Sequence, residues 1–523
     1  MNYKIILLAT ILGFISSCKS VMYVDLSSVE AQQPKMPLLT EKQNVLAQIG
    51  LHFPQEKNIS QVSVHLESTM KNLDLSQVFI YFGKNKNDKE KVLFGENVVT
   101  SNTISVKGNI AVKDTTFVWV VAKTVTNPNL LNKVKVKAVE FMSGKERLSI
   151  SQFENPAQRF GISVRVKKQD NVDCYRIPGL TTTNKGTLIA VYDNRYNNCK
   201  DLQENIDIGM SRSTDGGQTW EPMKVIMDMK QWGGVSQELN GIGDPAVLVD
   251  KKTGTIWVAA LWLHGHTKNQ MAWWASKPGM TPQQTGQLML VNSTDDGVTW
   301  SDPVNITLQT KNPEWYLFFN GPGSGISLQD GTIMFAAQYK DDKQVPHSTL
   351  IYSKDHGKTW HTGTGAKSHT TEAQVVQLSN GNIMLNMRDD RNRTNYELSD
   401  QYHGRSVAVT SDLGQTWNEH SSSRVALVEP NCMASIIAYK DKQGKQYLFF
   451  SNPADARKRI NMTLKVSDDE GLTWDKLPQV PFYSDECFGY SCLSLIDNKY
   501  IGILYEGAGD LYFQKIPISE LIK

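Results

Sequence analysis

Ser213-Thr-Asp215-Gly-Gly217-Gln-Thr219-Trp220 returns four more times along the chain, at 293–300, 353–360, 410–417 and 467–474. The shared pattern is Ser/Thr-x-Asp-x-Gly-x-Thr-Trp. Each position serves a physical purpose, in that the Asp accepts backbone N–H bonds in a turn, the Gly supplies a positive φ, and the Trp plugs a hairpin base into a core. A second unit interleaves with it, an apolar strand, a tight polar-Gly turn and another apolar strand. It occurs around Lys185-Gly186, Thr253-Gly254, Asp330-Gly331, Asn380-Gly381 and Gln443-Gly444, and in degenerate form at Asp497-Asn498. Such dipeptides between β-rich runs signal hairpins. Six hairpins and five long repeats, each a small antiparallel sheet, predict an all-β, six-bladed β-propeller with Asp-box repeats over 157–523. The Asp-rich repeats lack the alternating oxygen ligands and terminal Glu of a calcium loop, so they read as structural.

Outward from the repeats, the 523 residues leave room for a second module. Residues 38–150 alternate apolar and polar in runs such as 61–65, 78–82 and 116–121, which suits a small β-sandwich, an accessory module possibly carbohydrate-binding. Residues 1–17 begin with Lys4 and continue into an apolar run over 5–15 that is too short to cross a bilayer, so they read as a signal peptide, followed by a linker at 18–37. The ending Ile15-Ser16-Ser17-Cys18 resembles a bacterial lipobox, with Cys18 as the lipidation site. The expectation is therefore an exported bacterial lipoprotein, periplasmic or anchored at the outer membrane or cell surface, held to the membrane by its lipid alone. Lys and Arg number 55 against 53 Asp and Glu, a formal charge of +2, which offers no basic field for nucleic acid. Recognition of a charged ligand must then be local. Five further cysteines, Cys174, Cys199, Cys432, Cys487 and Cys492, leave at least one free thiol, and their spacing fixes no pairing. No metal and no cofactor is expected, because His264-x-His266 lacks a third ligand.

Propeller chemistry sits at strand ends facing the central funnel, and three arginines from three blades could meet there on one anion. Arg176 lies in Tyr175-Arg176-Ile177-Pro178, Arg388 ends a strand, and Arg457-Lys458-Arg459 supplies a third candidate. Glu372 and Arg388 are sixteen residues apart and flank one hairpin, which returns both to the same end of an antiparallel pair.

With its five Asp boxes, its Tyr-Arg-Ile-Pro motif and this order of Arg, Glu and Tyr elements, 157–523 resembles the bacterial exo-α-sialidases (neuraminidases). The resemblance implies hydrolysis of terminal α-linked sialic acids from glycoproteins, glycolipids and oligosaccharides, with sialylated glycans as partners. Arg176, Arg388 and Arg459 would hold the sialic acid carboxylate, a role that suits the planar, permanently charged guanidinium fork. Arg457 is the rival for the third place. Asp201 matches the general acid/base, with Asp193 and Asp207 as rivals inside strand patterns, and the role requires a pKa raised toward the working pH. Glu372 matches the base partner of a nucleophilic Tyr490. Glu506 resembles the acid that orients Arg176, and Arg195 and Asp244 resemble sugar-contacting residues. A phenol nucleophile has a physical reason here, since an anionic carboxylate would approach the carboxylate-bearing anomeric carbon against like charge. The implied course is retaining. Alternatives are a trans-sialidase, a non-catalytic sialic-acid-binding propeller, and a glycosidase for neutral glycans.

Overall fold

The structure is a computed structural model that describes residues 22, 24 and 29–522, except 88, 155, 203, 235, 265–271 and 394–401. The expected signal segment, Cys18 and His266 lie outside the described residues. The described residues divide into two compact units: 22, 24, 29–34, 43–123 and 134–157 form one, and 35–42, 124–133 and 158–522 the other.

In the first unit, strands run in one hydrogen-bonded path, Lys133–Ser143, Asn44–Ser68, Thr103–Thr124, Leu75–Gly83 and Val92–Val98. The period-two pattern predicts a small β-sandwich here. Within the unit Asn44–Ser68 is 25 residues long, and register shifts between Phe53 and Lys57 and between Ile59 and Gln61 interrupt its pairing. A bulge is a local event that hydrophobic alternation does not announce.

The second unit is a propeller-like array. Five sheets follow in chain order, beginning at Cys174–Thr182, Asn240–Val249, Leu317–Asn320, Thr370–Gln377 and Ser435–Lys440. After them, Ser491–Ile496, Tyr500–Glu506 and Leu511–Pro517 pair in succession, and Gln158–Arg165 from the start of the unit pairs antiparallel with Leu511–Pro517. A strand from the beginning thus completes a sheet from the end. The expected turns form: Gly186, Gly381 and Gly444 adopt φ of 85°, 88° and 86°, and in the degenerate sixth both Asp497 and Asn498 stand at 51°. Two successive left-handed residues match the twist of a hairpin, and Asp and Asn tolerate that conformation best after Gly.

The repeats staple neighbouring sheets. In the first, Asp215 Oδ1 accepts from Ser213 Oγ (2.8 Å) and Thr219 N (2.9 Å), while its Oδ2 accepts from Thr219 Oγ1 (2.6 Å). The indole N–H of Trp220, Trp300, Trp360 and Trp474 donates to the carbonyl of the box glycine, whereas that of Trp417 reaches Thr364 O in the preceding sheet. Trp360 packs with Phe318 and Phe335, and Trp474 with Met384 and Phe450, so each plug fills the apolar layer between adjacent sheets. Gly217 has no room for a side chain, because an added Cβ would lie 2.0 Å from Phe513.

The box carboxylates depend on ionisation. Hydrogen bonds from the Thr416 hydroxyl and backbone, then from Thr410, hold Asp412 down at about 2, and the Thr299 bonds lower Asp295 likewise. A depressed folded-state pKa adds stability that is full above the unfolded value near pH 4 and is lost as pH falls through the folded value. The thermal midpoint should therefore drop steeply on acidification below about pH 4. Asp295→Asn and Asp412→Asn together should lower it at neutral pH and flatten that slope. A slope unchanged by the double substitution would show that the acid sensitivity originates elsewhere.

Candidate active site

At one end of the propeller-like unit the innermost strands break register where polar residues face inward. The first sheet shifts between Arg176 and Gly179, the second between Gly243 and Ala246, and the fourth between Thr370 and Ala373. These breaks carry Arg176, Asp244 and Glu372. Ile177 has φ 59° and Asp244 φ 57°. A β-branched residue in the left-handed region is a true outlier, which packing must hold in place; here the cost turns Arg176 toward the funnel.

Glu506 is completely buried and joins Arg176 to the backbone of Tyr490. Its Oε1 accepts from Arg176 Nε (2.7 Å) and Ile177 N (2.8 Å), and its Oε2 from Tyr490 N (2.9 Å). The guanidinium and the Tyr490 backbone are thereby fixed to one carboxylate. Arg388 Nη1 donates to Glu372 Oε2 (2.6 Å) and to Tyr490 Oη (3.1 Å), and Tyr490 Oη donates to Glu372 Oε1. Arg459 Cζ lies 5.7 Å from the Tyr490 ring centroid and Arg176 Cζ lies 5.5 Å from it. Three guanidinium groups from three sheets therefore surround one phenol. Arg457 is exposed, its backbone N–H held by Asp455 in a turn, so the structure brings Arg459 to the cluster. Burial, then the Glu372 charge, push the Tyr490 phenol well above its ordinary pKa, against the lowering pull of Arg388 and Arg459.

Asp201 stands on the loop after Leu188–Arg195, its side chain 58 % exposed. Its Oδ1 is 2.9 Å from Arg195 Nη1 and 3.7 Å from Arg176 Nη1. Burial of its carboxyl pushes it up, but Arg195 and Arg176, with Arg388 behind them, outweigh this and hold it below the ordinary range. The expectation of a raised pKa is thus reversed, since spacing along a chain cannot reveal two cations folded against a loop carboxylate. The rivals are struts. Asp193 is buried and accepts from both Arg195 Nη2 (2.8 Å) and Asp244 N (2.9 Å), and burial pushes it up to about 6. Asp207 accepts from Tyr196 Oη and Asn194 Nδ2, each at 2.8 Å, and burial pushes it up to about 7.

Arg195 is 1 % exposed, its fork closed on Asp193 and on Cys199 O, Lys200 O and Asp201. It sits behind the loop. Asp244 lines the cavity, and burial, then the Asp193 and Glu372 charges, raise its pKa well above the ordinary value. The cavity is about 470 Å³, with a polar floor of Glu372, Arg388 and Tyr490 and an apolar wall that includes Leu261, Phe319 and Trp273.

Several contributors had no signal in the sequence. Asn431, at φ 52°, accepts at Oδ1 from Arg388 Nη2 (2.8 Å) and at its backbone O from Arg459 Nη2 (3.1 Å). Behind it the fully buried pair Arg405–Glu429 (2.9 Å) ties Asp389 N and Cys432 O. Glu429-Pro430-Asn431, a polar run between strands at the site end, is the one trace of this support. Cys174 and Cys199 form a disulfide, while Cys432, Cys487 and Cys492 are buried thiols.

Residues 186–503 match the family model described as a BNR repeat-like domain. A sialidase from Bacteroides fragilis (strain YCH46) is 39 % identical over 99 % of this chain and the whole of that protein. One from Micromonospora viridifaciens is 34 % identical over 65 % of this chain and half of its own length. Among solved structures, Hadza microbial sialidase Hz136 superposes with a TM-score of 0.86 at 38 % identity, over 94 % of this chain and all of that one. With matches of this extent, and with three guanidinium groups around a Tyr–Glu pair in a propeller-like unit, the chain belongs to the sialidase family of glycoside hydrolases.

Proposed function

We propose that this sialidase is an exo-α-sialidase that releases terminal α-linked sialic acid from glycoconjugates by a retaining route through Tyr490. The observation that carries the reading is the Tyr490 hydroxyl donating to Glu372 inside the arginine cluster. A neutral phenol can approach a carbon that bears a carboxylate without charge repulsion, and it becomes a nucleophile as its proton passes to Glu372. Arg176, Arg388 and Arg459 hold the substrate carboxylate, which also sets the orientation of the ring. The positive charge that develops on the sugar is stabilised by its own clamped carboxylate and by the attacking oxygen.

Asp201 protonates the departing glycosidic oxygen and later takes a proton from water. Its ion pairs supply the timing. While the site is empty, Arg195 and then Arg176 hold the proton affinity of Asp201 down; a substrate carboxylate on Arg176 offsets the second of these charges and excludes water, which raises that affinity. Arg195 is a positioning residue for the acid loop, and Asp244 meets the hydroxyl or N-acyl side of the sugar. The strands from Ser491 to Pro517, closed by Gln158–Arg165, act as the sixth blade, and the first unit is an accessory module, a sandwich built on bent strands. The protein is exported and tethered through a diacylated Cys18.

Digestion of 3′- and 6′-sialyllactose followed by proton NMR tests this reading. Free sialic acid is expected, first as the α-anomer and then mutarotating. Absence of release would leave a binding protein, and an anhydro or transferred product would make it a trans-sialidase.

A further inference from the structure

We infer that the Cys174–Cys199 disulfide is a positioning device for the general acid, so that the thiol–disulfide state of this one bond sets how well the enzyme cleaves unactivated glycosides. Cys174 opens the strand that carries Arg176 two residues later, and Cys199 lies two residues before Asp201. Cys174 is also the cross-strand partner of Arg195, the last residue of the neighbouring strand. The chain leaves Arg195, turns through the exposed Asn197, and returns over Cys174, where the bond fastens it. The covalent link thus joins the acid's loop to the strand of a carboxylate-binding arginine.

The rest of the loop's anchorage makes the role of the bond specific. Arg195 Nη1 donates to Cys199 O (2.9 Å) and Lys200 O (2.8 Å), and Leu202 is buried on the far side among Ile206, Leu261 and Phe319. These hold the backbone on either side of Asp201. The third bond from Arg195 Nη1 goes to the Asp201 carboxylate itself (2.9 Å) and must loosen when that group takes up a proton and turns to the glycosidic oxygen. Once it does, the backbone alone keeps the acid in place, and at Cys199 that backbone is tied covalently. Displacement by about 1 Å is enough to cost a catalytic group on the order of 100-fold. Cys174 is buried and Cys199 partly exposed, so reduction begins at the Cys199 sulfur. Dithiothreitol would supply two electrons and two protons, giving two thiols here and its own disulfide.

The inference rests on Asp201 as general acid, and leaving-group dependence separates the two. Sugar alcohols leave poorly and need the proton, whereas an aryl sialoside with a nitrophenol leaving group does not, so kcat/KM for the two reads the acid alone. With Cys174→Ala/Cys199→Ala, kcat/KM on 3′-sialyllactose should fall roughly 30-fold or more and on the aryl sialoside less than about 3-fold. Wild-type enzyme reduced with dithiothreitol should show the same split, reversed on reoxidation, with circular dichroism unchanged; this holds even if the double variant fails to fold. Equal losses on both substrates, or none, would overturn the inference and leave the bond a staple for stability. Asp201→Ala run in parallel should show a larger split. If it shows none, the acid assignment itself fails.

Discussion

Replacing Tyr490 by Phe should lower kcat for sialyllactose by roughly 10³-fold or more while changing the affinity for a 2,3-unsaturated sialic acid analogue by less than about 3-fold. The substitution removes one oxygen and keeps the ring, which is what Arg176 and Arg459 flank at 5.5 and 5.7 Å. It leaves the Tyr490 backbone N–H on Glu506, so the strand start and the first arginine keep their positions. The carboxylate clamp is therefore intact, and binding survives. What is lost is the atom that both Glu372 and Arg388 address, and with it any covalent intermediate. Glu372→Gln should lose less, because the phenol remains, but it should show a steeper rise in rate toward alkaline pH as hydroxide takes over part of the deprotonation. Parallel kinetics and calorimetric titration check both. A Tyr490→Phe enzyme that kept a tenth of its activity would exclude the phenol as nucleophile and point to water activated by Glu372.

How much of this was readable in advance depended on the range of the interaction concerned. The Asp boxes are local, each box turn closing within eight residues, so their hydrogen bonds follow from the motif. Glu372 and Arg388 were also legible, because one hairpin converts sixteen residues of separation into a contact of 2.6 Å. Contacts between blades were legible only through the family resemblance: Arg176 finds Glu506 across 330 residues, a pairing the resemblance named and no periodicity encodes, whereas Arg388 finds Asn431 across a sheet boundary with no signal at all. The direction of the Asp201 pKa failed for the same reason, as two of the cations that lower it come from outside its loop. The Cys174–Cys199 bond escaped because five cysteines allow many pairings and only the fold of one loop selects this one. The bulges at Ile177 and Asp244 matter most to function and leave the weakest mark, a non-glycine residue held in the left-handed region.

Glu506 joins Arg176 to the Tyr490 backbone, and its replacement by Gln should destabilise the propeller-like unit by about 3–5 kcal/mol and reduce kcat/KM on the order of 100-fold. The carboxylate is fully buried and accepts from three donors, Arg176 Nε, Ile177 N and Tyr490 N. An amide has one oxygen where three N–H groups converge on two. Either orientation sets its NH₂ against a donor: toward Tyr490 N in one, toward Arg176 and Ile177 in the other. The Arg176 guanidinium, itself almost completely buried, then loses the charge that balances it, and its remaining carboxylate is Asp201 at 3.7 Å. Removal of one member of a buried ion pair leaves the other desolvated and unpaired, which is why the expected loss far exceeds that of an exposed pair. Arg176 should be drawn toward Asp201, so the clamp would loosen and the acid would be held ionised by the same movement. Urea denaturation followed by tryptophan fluorescence measures the first effect, and the ratio of KM to kcat separates a lost clamp from a misplaced nucleophile. A rise confined to KM would mean that Glu506 serves Arg176 alone. A fall in kcat as well is expected, because the second oxygen of Glu506 holds the backbone from which Tyr490 attacks.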